Sequence, residues 1–415
     1  MTEESFDFVV VGGGAAGAIL ADRLSEDGRH TVCLLEAGPA DWHPFLHIPA
    51  GFIKVLFDPA FTWTYSSEPT EWTHGRRVPL PQGRTLGGST SMNGLVYNRG
   101  QREDFDGWAA QGNLGWGYDE VLPYFQRNER YAGGDDRFRG REGRLPVSDL
   151  TWIHPLCEQF IAGAQGLGMP RNPDYNGETQ AGVGYFQRSI EGRWRMSTAR
   201  TYLRAARGRS NLKIITRAQA TSVVFDGTRA TGVRYVQDHD QHNVRQVHAR
   251  REVVLSCGAT NTPKLLQLSG VGPVDQLQSL GIPVVHALPG VGANLSDHFS
   301  VRFVAGVKGI TTINELSRAP RLWGQIAAWL AGRPNILAVS PSLVHWFWQS
   351  QPGLNRPDLT FTVSDDEVGP QILALPPVGV LVPQPNFVHN TSPFGVCLQK
   401  PFAKDLERLA FPLFS

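Results

Sequence analysis

The stretch FDFVVVGGGAAGAILADRLSEDGRHTVCLLE, from Phe6 to Glu36, constrains the fold of this chain more than any other. Phe8 to Val11 is a continuous apolar, β-branched run, the pattern of a strand covered on both faces by helices. Gly12, Gly14 and Gly17 follow at once in G-x-G-x-x-G spacing. In that pattern the first glycine permits a tight turn, the second lets backbone approach a pyrophosphate, and the third lets helix and strand pack closely. A helix is predicted from Ala15 to Asp27, with Ala16, Ile19, Leu20 and Leu24 on its packed face and Gly28 placed to end it. Its N-terminus stabilises negative charge. Thr31 to Leu35 reads as the second strand. Glu36 closes it, where a carboxylate accepts hydrogen bonds from ribose hydroxyls and disfavours a 2′-phosphate. The glycine spacing alone is weak in a chain with 45 glycines, but here strand, turn, helix, strand and terminal acid arrive in register. The unit is read as built for an adenine dinucleotide, and it does not separate FAD from NAD.

At 415 residues the chain is long enough for two domains. A net charge of +1, with 19% charged residues and no run of like charges, argues against a nucleic-acid surface. Cys33, Cys157, Cys257 and Cys397 are scattered without a C-x-x-C pair, which reads as reduced thiols in a cytosolic protein; no metal ligand set is assigned. The start MTEESFDF has neither a basic nor an apolar leader region, so no secretion signal is expected. The longest apolar tract, Val368 to Val388, is interrupted by five prolines and is not a spanning helix. The expected location is cytoplasmic, with peripheral contact to a membrane left open.

From Gly38 to Arg77 the chain is rich in Pro, Trp and His and reads as an extended surface connection covering the cofactor, with Phe61 to Tyr65 as a short strand. GRTLGGSTSMNG, from Gly83 to Gly94, then concentrates glycines, hydroxyls and an asparagine too densely for a core element. Its backbone amides and hydroxyls suit an anion or a flavin ring.

Together with GATNTPKLLQLSGVG (Gly258 to Gly272) and LPGVGANLSDH (Leu288 to His298), these stretches resemble the signatures of the glucose-methanol-choline (GMC) family of FAD-dependent oxidoreductases. The resemblance implies an α/β fold: a Rossmann-like FAD-binding domain with a discontinuous α+β substrate domain, here incomplete. It also implies FAD in place of NAD. By position, Gly12, Gly13, Gly14, Ala15, Ala16, Gly17, Glu36 and Ala37 would bind the ADP half, with Ala220 making a backbone contact to adenine. Thr85, Gly88, Ser89, Asn93, Gly94, Leu95 and Val96 would line the flavin. The implied reaction takes a proton from a primary alcohol and a hydride to flavin N5, giving an aldehyde, as in choline or alcohol dehydrogenases. Oxygen and a quinone both remain open as electron acceptor.

Elsewhere, helices are expected at Gly115 to Phe125, Leu156 to Leu167, from Ser197, at Pro263 to Leu268 and around Leu322 to Ala331. Strands are expected at Leu212 to Thr216, Ala220 to Phe225, Thr231 to Val236, Glu252 to Ser256, Leu343 to Trp348 and Leu359 to Val363. Asp226-Gly227 reads as a hairpin turn. His154, at a helix start, reads as a surface or cap residue and not as a ligand. The segments divide as FAD-binding domain (1–143 and 197–300), substrate domain (144–196 and 301–364) and a tail (365–415) without family resemblance. No H-x-x-G-T segment or late D-A-S-x-M-P segment occurs in that tail, so no catalytic residue is assigned; His298 and the pair His389-Asn390 are the histidines left to consider. The expectation is a truncated chain with an altered tail, or a diverged member, in which the apolar run Leu343 to Trp348 is left uncovered. The alternatives are a flavin-binding protein without turnover and an NAD-dependent dehydrogenase.

Overall fold

In the computed structural model, which describes residues 4–71, 73–238, 240, 242–295, 297, 305–364, 379–384 and 397–398, the N-terminal unit is the centre of a six-stranded sheet. Its elements are β1 (Glu4–Val11), α1 (Ala15–Leu24) and β2 (Val32–Leu35). The sheet runs Leu212–Ile215, β2, β1, Val244–Leu255, Arg229–Gln237, Ala218–Asp226, so strands some 200 residues downstream flank the first two. The pairings from Leu212–Ile215 to Val244–Leu255 are parallel, and the last two strands form the antiparallel hairpin marked by Asp226-Gly227. Gly227 takes a φ of +58° there, where a side chain would be strained.

α1 ends three residues before Asp27 and buries a different face from the expected one: Gly17, Ala18, Ala21 and Asp22 are buried, while Ala16 is exposed. Large apolar side chains are the wrong guide for a helix pressed closely onto a sheet, where small residues allow the approach. The buried Asp22 carboxylate is met by Arg144 and Arg209 at 2.7 and 3.0 Å. Gly28, at φ +73°, follows as expected.

Residues 38–77 do not form an extended surface connection. Two 3-10 turns (Pro44–Leu46 and Pro49–Gly51), a helical turn (Phe52–Val55) and a strand (Thr62–Ser66) paired with Pro79–Gly83 occupy the stretch. The prolines that suggested extended chain instead begin helical turns, where a missing N–H costs nothing. Leu46, Val55 and Met92 form a small core beneath them.

A second sheet is antiparallel, in the order Ala305–Val307, Gly379–Gln384, Leu359–Ser364, Val344–Trp348, Gly182–Tyr185. Cys397–Leu398 also pairs with Leu359–Ser364. The run Leu343 to Trp348 is covered, contrary to expectation. Val344 and Trp346 pack against Cys157 and Ile161 of the helix Pro155–Gly166, and Phe347 against Tyr175 and Phe186. His154 caps that helix, its Nδ1 accepting from the Leu156 amide at 3.4 Å.

Two expected helices start elsewhere. The one near Pro263 begins at Gly258 and carries the proline inside it; that from Ser197 is a π-turn, Ala199–Leu203, running into Arg204–Ala206. Glu129 is completely buried between Arg139 (2.8 Å) and Arg99 (2.7 Å), and Arg139 also pairs with Asp174. Burial pushes the Glu129 carboxyl up, but the hydrogen bonds from Arg139 and the charges of both arginines hold it below its ordinary value.

Candidate cofactor site

Because β1 and its neighbours run parallel, Val11, Leu35 and Leu255 end at one edge of the sheet, and the turns that follow them meet there. Gly12, at φ +96°, lies so close to the next strand's exit that a Cβ would stand 2.5 Å from the Ser256 carbonyl oxygen. A Cβ on Gly17 would stand 1.9 Å from the Gly12 carbonyl oxygen. The chain itself therefore requires these two glycines. Gly14 differs: its φ is an ordinary −77° and the nearest atom to an added Cβ is 3.9 Å away. No described residue forbids a side chain at Gly14, and the close approach of a ligand is a reason for glycine there. Gly14 is the N-cap of α1 without a side-chain cap, and Ala15 and Ala16 are exposed beside it, so no side chain among the described residues answers the first-turn amides.

The second glycine stretch folds directly onto the first. Gly87 (φ +87°) donates its N–H to the Gly13 carbonyl at 2.7 Å, and Gly88 (φ +51°) touches Gly14 so closely that a Cβ would come 2.7 Å from its Cα. A 3-10 turn, Gly88–Ser91, follows. Its hydroxyls are largely committed within the loop: the Ser89 Oγ accepts from the Gly83 amide at 3.1 Å, and the buried Thr85 donates to the Pro39 carbonyl at 2.9 Å. The Thr90 hydroxyl reaches both the Gly87 carbonyl (2.6 Å) and the Thr198 hydroxyl (3.1 Å), and Thr198 in turn donates to the Gly14 carbonyl at 3.3 Å. The π-turn segment is thus the third wall of the junction.

Glu36 sits behind this junction, 5% exposed, its Oε2 accepting from the Gly13 amide and its Oε1 from the Gly38 amide, both at 2.8 Å. Each oxygen retains a second lone pair. Half-buried Ala37 is next to it, and the Glu36 carbonyl accepts the Ala218 amide at 2.9 Å, which places the strand carrying Ala220 alongside. Burial pushes the Glu36 carboxyl up to about 7, against the opposing effect of the two amide hydrogen bonds. A carboxyl raised on folding adds stability below its unfolded pKa and loses it as pH rises through the folded value. Going from about pH 5 to about pH 8, the unfolding free energy of the ligand-free chain is expected to fall by about 2 kcal/mol relative to the non-titrating Glu36→Gln variant. A pH-independent difference in urea unfolding would show that Glu36 titrates at its ordinary value.

Asn93, Gly94, Leu95 and Val96 continue from the loop toward the second sheet. The Asn93 Oδ1 accepts from the Leu95 amide (3.1 Å) and from Arg195 Nη1 (2.8 Å). The Gly94 carbonyl accepts from Ser340 at 2.6 Å. Leu95 is buried at φ +66°, and Val96 packs on the Tyr175, Phe186 and Phe347 cluster while bridging Arg188.

This arrangement of loops has known counterparts. The sequence profile of the GMC oxidoreductases matches residues 6–300. The chain belongs to the GMC oxidoreductase family. It is 40% identical to an oxygen-dependent choline dehydrogenase of Rhizobium johnstonii over 86% of its own length and 64% of the relative's. To an alcohol dehydrogenase [acceptor] of Pseudomonas putida it is 37% identical, over 86% of this chain and 65% of that one. The chain therefore spans less than two thirds of the length of these curated relatives. Among solved structures, pyridoxine 4-oxidase from Mesorbium loti superposes with a TM-score of 0.79 at 27% identity, covering 98% of this chain and 78% of that one. FAD is the family's cofactor, which sets the NAD reading aside.

The sequence reading missed Thr198 and Arg195. Thr198 carried a signal only as a helix start, and Arg195, alone in the run WRM, carried none. Asn294, at φ +59°, and Asp297 are exposed, whereas His298, His389 and Asn390 lie outside the described residues. No helix among the described residues is long and apolar enough to cross a membrane.

Proposed function

We propose that the chain holds FAD across the junction of its two glycine loops and oxidises primary alcohols, choline or simple aliphatic and aromatic ones, to aldehydes. The observation that carries the reading is Gly14: it touches the backbone of Gly88, it has room for a side chain, and yet it is glycine, as close approach of a pyrophosphate demands. In this reading Gly12, Gly13, Gly14, Ala15, Ala16 and Gly17 present backbone and the α1 N-terminus to the pyrophosphate. Glu36 accepts from the ribose with its remaining lone pairs, and Ala37 and Ala220 lie at the adenine end. Gly88, Ser89, Asn93, Gly94, Leu95 and Val96 take the flavin, and Thr85 supports their loop from beneath. Bound FAD supplies the hydride acceptor. The two sheets support a division into a cofactor domain (1–143 and 197–300) and a substrate domain (144–196 and 301–364). Free thiols at Cys33, Cys157 and Cys257 support a reducing compartment such as the cytoplasm.

The experiment loads the chain with FAD and mixes it anaerobically with choline, a short primary alcohol and benzyl alcohol. Bleaching of the flavin absorbance with at least one of them is expected, and reoxidation by oxygen or by a quinone then identifies the acceptor. A flavin that stays bound and oxidised with all three would overturn the catalytic part of the reading in favour of flavin binding without turnover.

A further inference from the structure

Arg195 is fully buried in a short hairpin, Ile190–Glu191 with Trp194–Arg195, between the turns at 44–51 and the loop at 88–94. Its Nη1 donates to the Thr90 carbonyl (3.2 Å) and to Asn93 Oδ1 (2.8 Å), and its Nη2 to the Pro49 carbonyl (3.3 Å). Its Nε has no hydrogen-bond partner among the described residues. Burial pulls its pKa down to about 9 with no carboxylate among the described residues to oppose the shift, so the group is still cationic at neutral pH. Arg139, also fully buried, is by contrast matched by Glu129.

An unmatched buried cation weighs heavily against a domain's whole margin of stability. Two carbonyls and an amide oxygen could be served by neutral donors, so hydrogen bonding alone does not account for the charge. Its position does. With the Asn93 oxygen held by both Arg195 and the Leu95 amide, the Asn93 NH₂ group is left without a hydrogen bond among the described residues. We propose that Arg195 is a positioning residue: it locks the Asn93 amide so that the NH₂ group serves the flavin, and its charge raises the flavin's reduction potential. The proposal rests on the reading that this loop holds the flavin. Two-electron reduction adds negative charge to the ring system, and a fixed cation in a low-dielectric interior favours the state that carries it.

The test compares Arg195→Lys, which retains the charge, with Arg195→Gln, which retains donors without it. Flavin content is read first, then the reduction potential by equilibration with a reference dye. Relative to wild type, Arg195→Gln is expected to shift the oxidised-to-reduced ratio at least about tenfold toward oxidised flavin, roughly 30 mV for a two-electron couple, with Arg195→Lys recovering most of that shift. A purely structural arginine would alter stability in both variants and leave the two potentials equal. Equal potentials with flavin retained would overturn the proposal while leaving FAD binding intact, whereas a wild-type chain that holds no flavin would overturn the reading beneath it. Should Arg195→Gln fail to fold, Arg195→Met, which removes the charge without burying a new polar group, takes its place in the comparison.

Discussion

Gly14→Ala is expected to abolish most FAD binding while leaving the fold intact. Among the described residues the added Cβ meets nothing closer than the Gly88 Cα at 3.9 Å, and the backbone there is in an ordinary extended conformation, so the unfolding free energy should change by no more than about 1 kcal/mol. The same Cβ would stand where the second glycine of the fingerprint admits the pyrophosphate, and a loss of at least about a hundredfold in affinity, roughly 2.7 kcal/mol, is expected. The contrasting variant is Gly17→Ala. Its Cβ would overlap the Gly12 carbonyl oxygen at 1.9 Å, so it should lose stability by about 1–3 kcal/mol or more before any question of binding arises. Titration with FAD by fluorescence quenching, beside urea unfolding, separates the two. Unchanged FAD affinity in Gly14→Ala would remove the pyrophosphate from this turn.

Arg139→Met should be the most damaging single change away from the cofactor site, at about 3–5 kcal/mol. Arg139 is wholly buried with its Nε and Nη2 on the two oxygens of Glu129, at 2.8 and 3.0 Å, and Nη1 on Asp174 and Gln187. Glu129 is also fully buried, and Arg99 alone would be left to balance it. The double variant Arg139→Met with Glu129→Leu removes both charges and is expected to recover part of the loss. If the single variant unfolds at the wild-type urea concentration, water must enter this network and the pair is not dry.

The cofactor half of the molecule could be read from sequence because its constraints are local. A G-x-G-x-x-G turn between an apolar strand and a helix states its own geometry, and the glycines at 12 and 17 are demanded by atoms within a few residues or on the adjacent strand. The contact of Gly88 with Gly14 was reachable only through resemblance, since 74 positions of chain separate them and no periodicity connects the two loops. The packed face of α1 departs from the hydropathic one because hydropathy favours Ile19 and Leu20, whereas close packing on a sheet selects Gly17, Ala18 and Ala21. The strand Gly182–Tyr185 is hidden in the sequence for a similar reason. Its sequence GVGY lacks a β pattern, and Gly184 is there because a Cβ would lie 2.4 Å from the Asn172 carbonyl oxygen. Arg195 and Thr198 act through contacts 100 and more residues away, at Asn93 and Gly14, which no local pattern can report.

If these two loops together make an FAD site, the flavin content of the chain itself will show it. Purified protein is incubated with excess FAD, passed through gel filtration, and assayed for absorbance near the flavin maximum, with circular dichroism recorded on the same fraction. Stoichiometric FAD is expected to comigrate with folded protein and to resist displacement by NAD in excess. A folded chain that elutes without flavin would contradict an FAD site here.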